Sequence, residues 1–346
     1  MTARAFITGL SGTALTAGER HFLREAAPWG LILFKRNIDT PSQVTSLTTA
    51  FRDAVGRDAS VLVDQEGGRV QRLGPPHWPG YPPGAAYGRL YQRDAAAGLA
   101  AARLGARLIA GDLLPLGIDV DCLPVADVPV AGADKVIGDR AYGSTPAQVA
   151  ALAAAAAEGL LDGGVLPVLK HLPGHGRATA DSHERLPVVS ADRATLEATD
   201  FAAFRALAGL PLGMTAHVVF TAYDPVTPAT TSVTMVQQVI RDSIGFKGLL
   251  MSDDVSMGAL SGSIAERTCA AFAAGCDLVL HCNGQIAEMQ AVAAQTPLLA
   301  GAAARRATAA LAARRSPREI DLAAARAIFA EMLAGDRPAG ARVATS

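Results

Sequence analysis

Short apolar runs recur along the chain, each ending in polar or glycine-rich residues: Ala5–Thr8, Leu31–Phe34, Val61–Val63, Val120–Val125, Pro167–Leu169, Gly213–Thr215, Leu249–Met251 and Leu278–Leu280. Runs this short, and apolar throughout, suit strands buried on both faces. Between most of them lie helical stretches, at Pro41–Ala54, Ala95–Leu114, Pro146–Leu161, Ala191–Leu207, Thr234–Ile244 and Ile264–Ala274, the last stopped by Gly275. Eight strands alternating with helices predict an α/β fold, a single parallel (β/α)8 barrel of the TIM type. An open doubly wound sheet shares the alternation, but its first strand should lead into a phosphate loop. Here Gly9-Leu10-Ser11-Gly12 follows, with neither GxGxxG nor GxxxxGK[ST]. With no internal repeat and no low-complexity linker, residues 1–334 are expected to form one barrel domain and residues 335–346 a flexible tail.

Composition narrows the function. Of 346 residues, 50% are hydrophobic and 18% charged, which describes a globular chain with an ample core. Basic and acidic residues nearly cancel, 31 against 32, so the electrostatic footprint of a nucleic-acid binder is missing. Arg305, Arg306, Arg314 and Arg315 gather among alanines and are expected to form a solvated helix face. Cys122, Cys269, Cys276 and Cys282 lie far apart without a CxxC pair, which predicts reduced thiols and a cytoplasmic location. Arg4 ahead of Ala5–Leu15 imitates an export leader, but Thr8, Ser11 and Thr13 interrupt it and no A-x-A site follows; it is read as the first strand. No run of 18 strongly apolar residues occurs, so no membrane partner is expected.

Active sites of barrels of this kind lie where strands end at their C-terminal side. Polar residues collect there: Asp64-Gln65-Glu66 after VLV, Asp127 after LPVA, Lys170-His171 after PVL, His217 after GMTA, Asp253-Asp254 after LLMS, and His281-Cys282-Asn283 after LVL. The densest segment runs from Lys170 through His171 and His175 to Asp181-Ser182-His183. His171 and His175 have the H-x3-H spacing of metal ligands, but Pro173-Gly174 prevents the helix that would aim both at one ion, and Lys170 would repel it. No metal is expected. Asp181 and His183, two apart on a loop, can point the same way, so that the carboxylate fixes the imidazole tautomer. Of the adjacent Asp253 and Asp254 only one can enter the barrel centre, where a carboxylate can act as nucleophile or general base. Gly67-Gly68 permits a tight turn that returns Arg69 or Arg72 over the strand ends, and Arg140 offers a further guanidinium. Each of these arginines suits sugar hydroxyls and rim ion pairs equally.

VDQEGGRVQR (Val63–Arg72), KHLPGHG (Lys170–Gly176), DSH (Asp181–His183), AHV (Ala216–Val218) and SDDVSM (Ser252–Met257) closely resemble the bacterial β-N-acetylhexosaminidases of glycoside hydrolase family 3. LILFKRN (Leu31–Asn37) and AGCDLVLHCN (Ala274–Asn283) extend the likeness, so that it spans Gly30 to Asn283 in consistent order. Leu172 stands where Phe is usual, and Lys35 where Thr is common. The resemblance implies a retaining hydrolase that removes terminal non-reducing β-N-acetylglucosamine without metal or cofactor. It implies Asp253 as nucleophile and His183 as acid/base supported by Asp181. Asp64, Arg72, Arg140, Lys170 and His171 become sugar-binding positions, joined by His217, which with Asp254 lines or braces the site. A histidine that has given up its proton leaves no second carboxylate to repel an anionic leaving group, which points to N-acetylglucosaminyl-1,6-anhydro-muropeptides of cell-wall recycling. The partner expected is therefore a small carbohydrate, handled by a monomer. Chitobiose-like substrates and phosphorolysis fit the same motifs. β-Glucosidases of the family share the KH and SD motifs but lack the DSH loop and usually take a catalytic Glu from a second domain. A non-catalytic sugar-binding barrel is expected to lack Asp253 or His183, and this chain has both.

Overall fold

Apolar side chains that alternate between two buried layers give each strand its position, and the computed structural model places all eight strands in one closed sheet. It describes residues 3–334; the tail expected at 335–346 lies outside the described residues. The strands are β1 (Arg4–Thr8), β2 (Pro28–Leu33), β3 (Ser60–Val63), β4 (Val120–Asp121), β5 (Leu166–Leu172), β6 (Leu212–Thr215), β7 (Leu249–Asp254) and β8 (Leu278–His281). Each runs parallel to the next, and β8 returns to β1 through the pairs Phe6↔Val279 to Thr8↔His281. This is the (β/α)8 barrel that the alternation predicts.

Inside the barrel, Ile7, Leu62, Val168, Met214, Met251 and Leu280 form one cluster. Their neighbours in sequence, among them Phe6, Val63, Leu169, Leu250 and Val279, face outward and pack against the helices in a second, larger cluster. Period two along the strands thus settles which side chains reach the barrel axis.

Three expectations are corrected. The run Val120–Val125 pairs as a strand only over Val120–Asp121; beyond it, Pro124 has no N–H to give to a ladder, although an isolated bridge joins Val125 to Lys170. The stretch Ala191–Leu207 divides into helices Arg193–Ala198 and Asp200–Ala206 at Thr199, whose backbone (φ −122°, ψ −79°) leaves the helical region. The C-terminal arginines do not form a simple solvated face. Arg306 pairs with Asp277 at 2.8 Å, Arg314 with Asp119, and Arg315 with Glu158, while Arg305 is exposed. Asp277 and Asp119 are buried, and each of them also takes a backbone N–H of a barrel strand, Leu250 and Val61 respectively. These pairs hold helix Gly301–Ala312 across the N-terminal end of the barrel, where Ala307 and Ala310 join the inner cluster. The opposite end is left for chemistry. Among the described residues no helix is long and apolar enough to cross a membrane.

Candidate active site

At the C-terminal ends of the strands the inward parity continues into polar residues. Leu62 is followed two and four positions later by Asp64 and Glu66, Val168 by Lys170, and Met251 by Asp253. The result is a cavity of about 250 Å³ whose lining includes Asp64, Glu66, Arg72, Arg140, Lys170, His171, Asp181, His183 and Asp253. It is small for a ligand cleft, for which about 300–1,000 Å³ is common.

One wall is a chain of charges of alternating sign. Lys170 Nζ lies 2.9 Å from Asp64 and 2.6 Å from Glu66. Arg72 donates to Asp64 at 2.9 Å, and Arg140 grips Glu66 in a fork at 2.7 and 2.8 Å. Burial works to raise both carboxyls, but the cations override it: Lys170 and Arg72 hold Asp64 well below the usual carboxylate range, and Lys170 and Arg140 pull Glu66 down to about 2. Burial likewise opposes the Lys170 charge and is outweighed by Asp64 and Glu66, so the ammonium is held above its ordinary value. Asp64, Glu66, Lys170 and Arg140 stay charged near neutral pH. Gly67 (φ +95°) and Gly68 (φ +58°) make the turn that brings Arg72 back over Asp64, in a backbone region that side chains disfavour. The guanidinium carbons of Arg36 and Arg72 lie over the Phe34 ring, 5.0 and 5.1 Å from its centroid, which gives Arg72 a cation–π contact beside its ion pair with Asp64.

The floor is Asp253. Its backbone N–H reaches the Thr215 hydroxyl at 3.3 Å, and its carboxylate accepts the Asp254 N–H at 2.8 Å. Burial works against its charge, but the imidazoles of His217 and His171 and that N–H more than offset it, and the carboxyl is held below its usual value. Asp254 is turned to structural partners: it accepts the Ser256 N–H and hydroxyl at 2.9 and 2.6 Å and the Cys282 N–H at 3.1 Å. His171 donates from Nδ1 to buried Asp127 at 2.7 Å, which leaves Nε2 as its unengaged nitrogen. Asp127 also accepts the His175 N–H at 2.6 Å, and so ties both ends of the HLPGH turn together.

His217 is corrected. Expected among the sugar-binding residues, it is fully buried and is not part of the cavity lining. Its Nε2 donates to the Asp254 carbonyl at 3.0 Å and its Nδ1 accepts from Thr230 at 2.7 Å, so both nitrogens are committed. Burial depresses its basicity, against the pull of Asp253 and Asp254. It braces the end of β7.

On the other side of the cavity, His183 Nδ1 donates to Asp181 at 2.7 Å, and the same carboxylate oxygen takes the His183 backbone N–H at 2.9 Å. Partial burial would raise the Asp181 carboxyl; the two His183 donors reverse this and hold it low. The His183 side chain is 68% exposed. Such a site offers a fixed, ionised carboxylate facing a carboxylate-oriented imidazole, with charged hydrogen-bond partners between.

Residues 14–310 match the glycosyl hydrolase family 3 N-terminal domain. A β-hexosaminidase from Alkalilimnicola ehrlichii is 41% identical over 279 residues, 80% of this chain and 79% of its own length. The chain belongs to glycosyl hydrolase family 3. Crystal structures of NagZ from Neisseria gonorrhoeae, native and in complex with N-trifluoroacetyl-D-glucosamine, match it with TM-scores of 0.83 and 0.81 at 32% identity. They cover 96% of this chain and 97% and 99% of theirs.

Every site residue expected from the family motifs except His217 meets in this one cavity. Sequence reasoning placed Glu66 among the polar strand-end residues but gave it no site role, although it shares the parity of Asp64. It also missed the bracing role of Asp127, whose partner His171 lies 44 positions away.

Proposed function

We propose that the protein is a β-N-acetylhexosaminidase that releases terminal β-N-acetylglucosamine with retention of configuration. The reading is carried by the Asp181–His183 pair facing the same cavity as Asp253. In the first step Asp253 attacks the anomeric carbon while His183, protonated and oriented through Nδ1 by Asp181, gives its Nε2 proton to the departing glycosidic oxygen. The aglycone leaves as an alcohol and the sugar stays as an ester on Asp253. Water then attacks the anomeric carbon, neutral His183 takes its proton, and the Asp253 carboxylate is restored. Asp64, Arg72, Lys170, Arg140 and His171 hold the sugar hydroxyls and the acetamido group. The aglycone we favour is a 1,6-anhydro-muropeptide, because a donor that becomes neutral on losing its proton does not repel a carboxylate-bearing leaving group. The NagZ complex with an N-acylated glucosamine and the relatives named β-hexosaminidase support the sugar.

The test is a pair of assays. Turnover of an aryl N-acetyl-β-glucosaminide with negligible turnover of the aryl β-glucoside is expected, with β-N-acetylglucosamine as the first product by NMR. Preference for the glucoside, or an inverted first product, overturns the activity. Chitobiose cleaved better than N-acetylglucosaminyl-1,6-anhydro-N-acetylmuramic acid overturns the aglycone only.

A further inference from the structure

The loop that carries Asp181 and His183 rests on the chain that continues from Asp253. The Ala259 N–H donates to the Ser182 carbonyl at 3.1 Å, and the Gly258 N–H to the His183 carbonyl at 3.3 Å. Position 258 admits no side chain without a shift: a Cβ there would lie 2.9 Å from the His183 oxygen and 3.0 Å from that of Glu184, both backbone atoms. Ser182 turns inward and is buried, with its hydroxyl 3.1 Å from His175 Nε2. The seat itself is stiff. Asp254 holds Ser256 through two bonds, and Arg267 donates from Nη1 to the Val255 and Met257 carbonyls at 2.9 and 3.1 Å.

We propose that Gly258 and Ser182 are positioning residues for the acid/base, and that the segment following the nucleophile strand sets the reach of His183 toward the glycosidic oxygen. The proposal rests on the reading of His183 as the acid. Two backbone bonds attach the loop to the element bearing Asp253, and the buried serine ties it to His175. The distance between proton donor and nucleophile is thereby set by one short stretch of chain, in place of two independent loops. A side chain at 258 presses on the carbonyl of His183 itself, so it displaces the donor without touching the floor. Loss of the Ser182 hydroxyl leaves the backbone seat intact and loosens the loop from His175.

The experiment compares single-turnover cleavage of chitobiose, whose leaving alcohol needs a proton, with that of an aryl glycoside whose leaving group does not. Gly258→Val, Gly258→Ala, Ser182→Ala and His183→Ala are measured side by side, with thermal melting as the check on folding. A displacement of about 1 Å in a reacting group costs on the order of 10²-fold. Gly258→Val is therefore expected to lower the disaccharide rate ~10²-fold and the aryl rate no more than about 3-fold. Gly258→Ala and Ser182→Ala should show the same asymmetry at roughly 10-fold. Equal losses on both substrates, or none on either, overturn the proposal while His183→Ala still discriminates. Should His183→Ala not discriminate, the acid assignment falls and takes the proposal with it. If Gly258→Val does not fold, the asymmetry in the two milder variants decides.

Discussion

Asp253 and His183 face one cavity from unlike surroundings. Asp253 ends a barrel strand, beside a wall in which Lys170 and Arg140 have side-chain exposures of 2% and 9% and every charge has a partner within 3 Å. His183 stands 68% exposed on a loop held by a few bonds. The contrast matches what the proposed mechanism asks of each. The anomeric carbon sits in the same place in every substrate, so its partner gains from a rigid floor. The leaving group varies in shape, so in the same mechanism its proton donor gains from an open position, seated on the chain that follows Asp253. The wall beside the floor is also sensitive for folding, because breaking one of its buried pairs leaves a charge short of a partner, whereas the loop carries little.

The sharpest way to break this contrast is at its two ends. Asp253→Ala should lose at least ~10⁴-fold in turnover while still melting cooperatively, since in the proposed mechanism Asp253 forms the covalent intermediate. A 2-fluoro glycoside with a good leaving group should label Asp253; mass spectrometry finding the label on Asp254 would reassign floor and brace. His183→Ala should cost ~10²–10⁴-fold in single turnover of a disaccharide and much less with an activated aryl glycoside. Equal losses would make His183 a shaping residue.

Stability separates the two regions next. Lys170→Met removes the cation that bridges Asp64 and Glu66, leaves each only its arginine, Arg72 or Arg140, and should destabilise by up to about 3–5 kcal/mol in urea titrations. Asp181→Ala on the loop should shift the midpoint hardly at all. A loop variant that destabilised as much as the Lys170 variant would erase the distinction.

A pH series sharpens it further. Burial and His171 depress buried His175 from its free value near 6.5 to about 4. The folded state thus prefers the neutral ring: its contribution to stability is fully present above pH ~6.5 and is lost as pH falls through about 4. Glu66 acts lower, its contribution complete above its unfolded value near 4.5 and lost as pH falls through about 2. Between pH 7 and 4 the wild type should therefore lose about 3 kcal/mol that His175→Gln does not lose, read as a flatter slope of urea midpoint against pH. Identical slopes would place the acid sensitivity elsewhere. The smallest expected effect is that of a chelator: EDTA should leave activity unchanged, and loss restored by zinc would revive a metal role for His171 and His175.

Much of the floor was legible because period two is a strict rule. Leu249–Met251 as an inward-outward-inward run already sends Asp253 to the axis and Asp254 to its neighbours. The same rule, carried from Leu62 through Asp64, reaches Glu66, which stood among the polar strand-end residues without a role of its own. What stayed hidden depends on partners distant in sequence. Nothing near His217 announces Thr230 or the Asp254 carbonyl, and nothing near Arg306 or Arg314 announces Asp277 or Asp119. The broken helix at Thr199 was equally invisible, although it serves the site: Arg177 of the catalytic loop donates to the Thr199 hydroxyl at 2.8 Å and pairs with Asp200 beside it.

The ring closure has a consequence in time. β1 shares its hydrogen bonds with β8, about 270 residues later in the chain, and Arg314 returns across 195 residues to Asp119. At about 5–20 residues per second, a ribosome needs roughly 15–50 s to deliver the partner of the first strand. For that interval the nascent sheet has an unpaired edge and no cover over its lower mouth. The alanine-faced helix at Gly301–Ala312 is thus the last plug to arrive, and the half-made protein is most exposed to wrong partners just before it does.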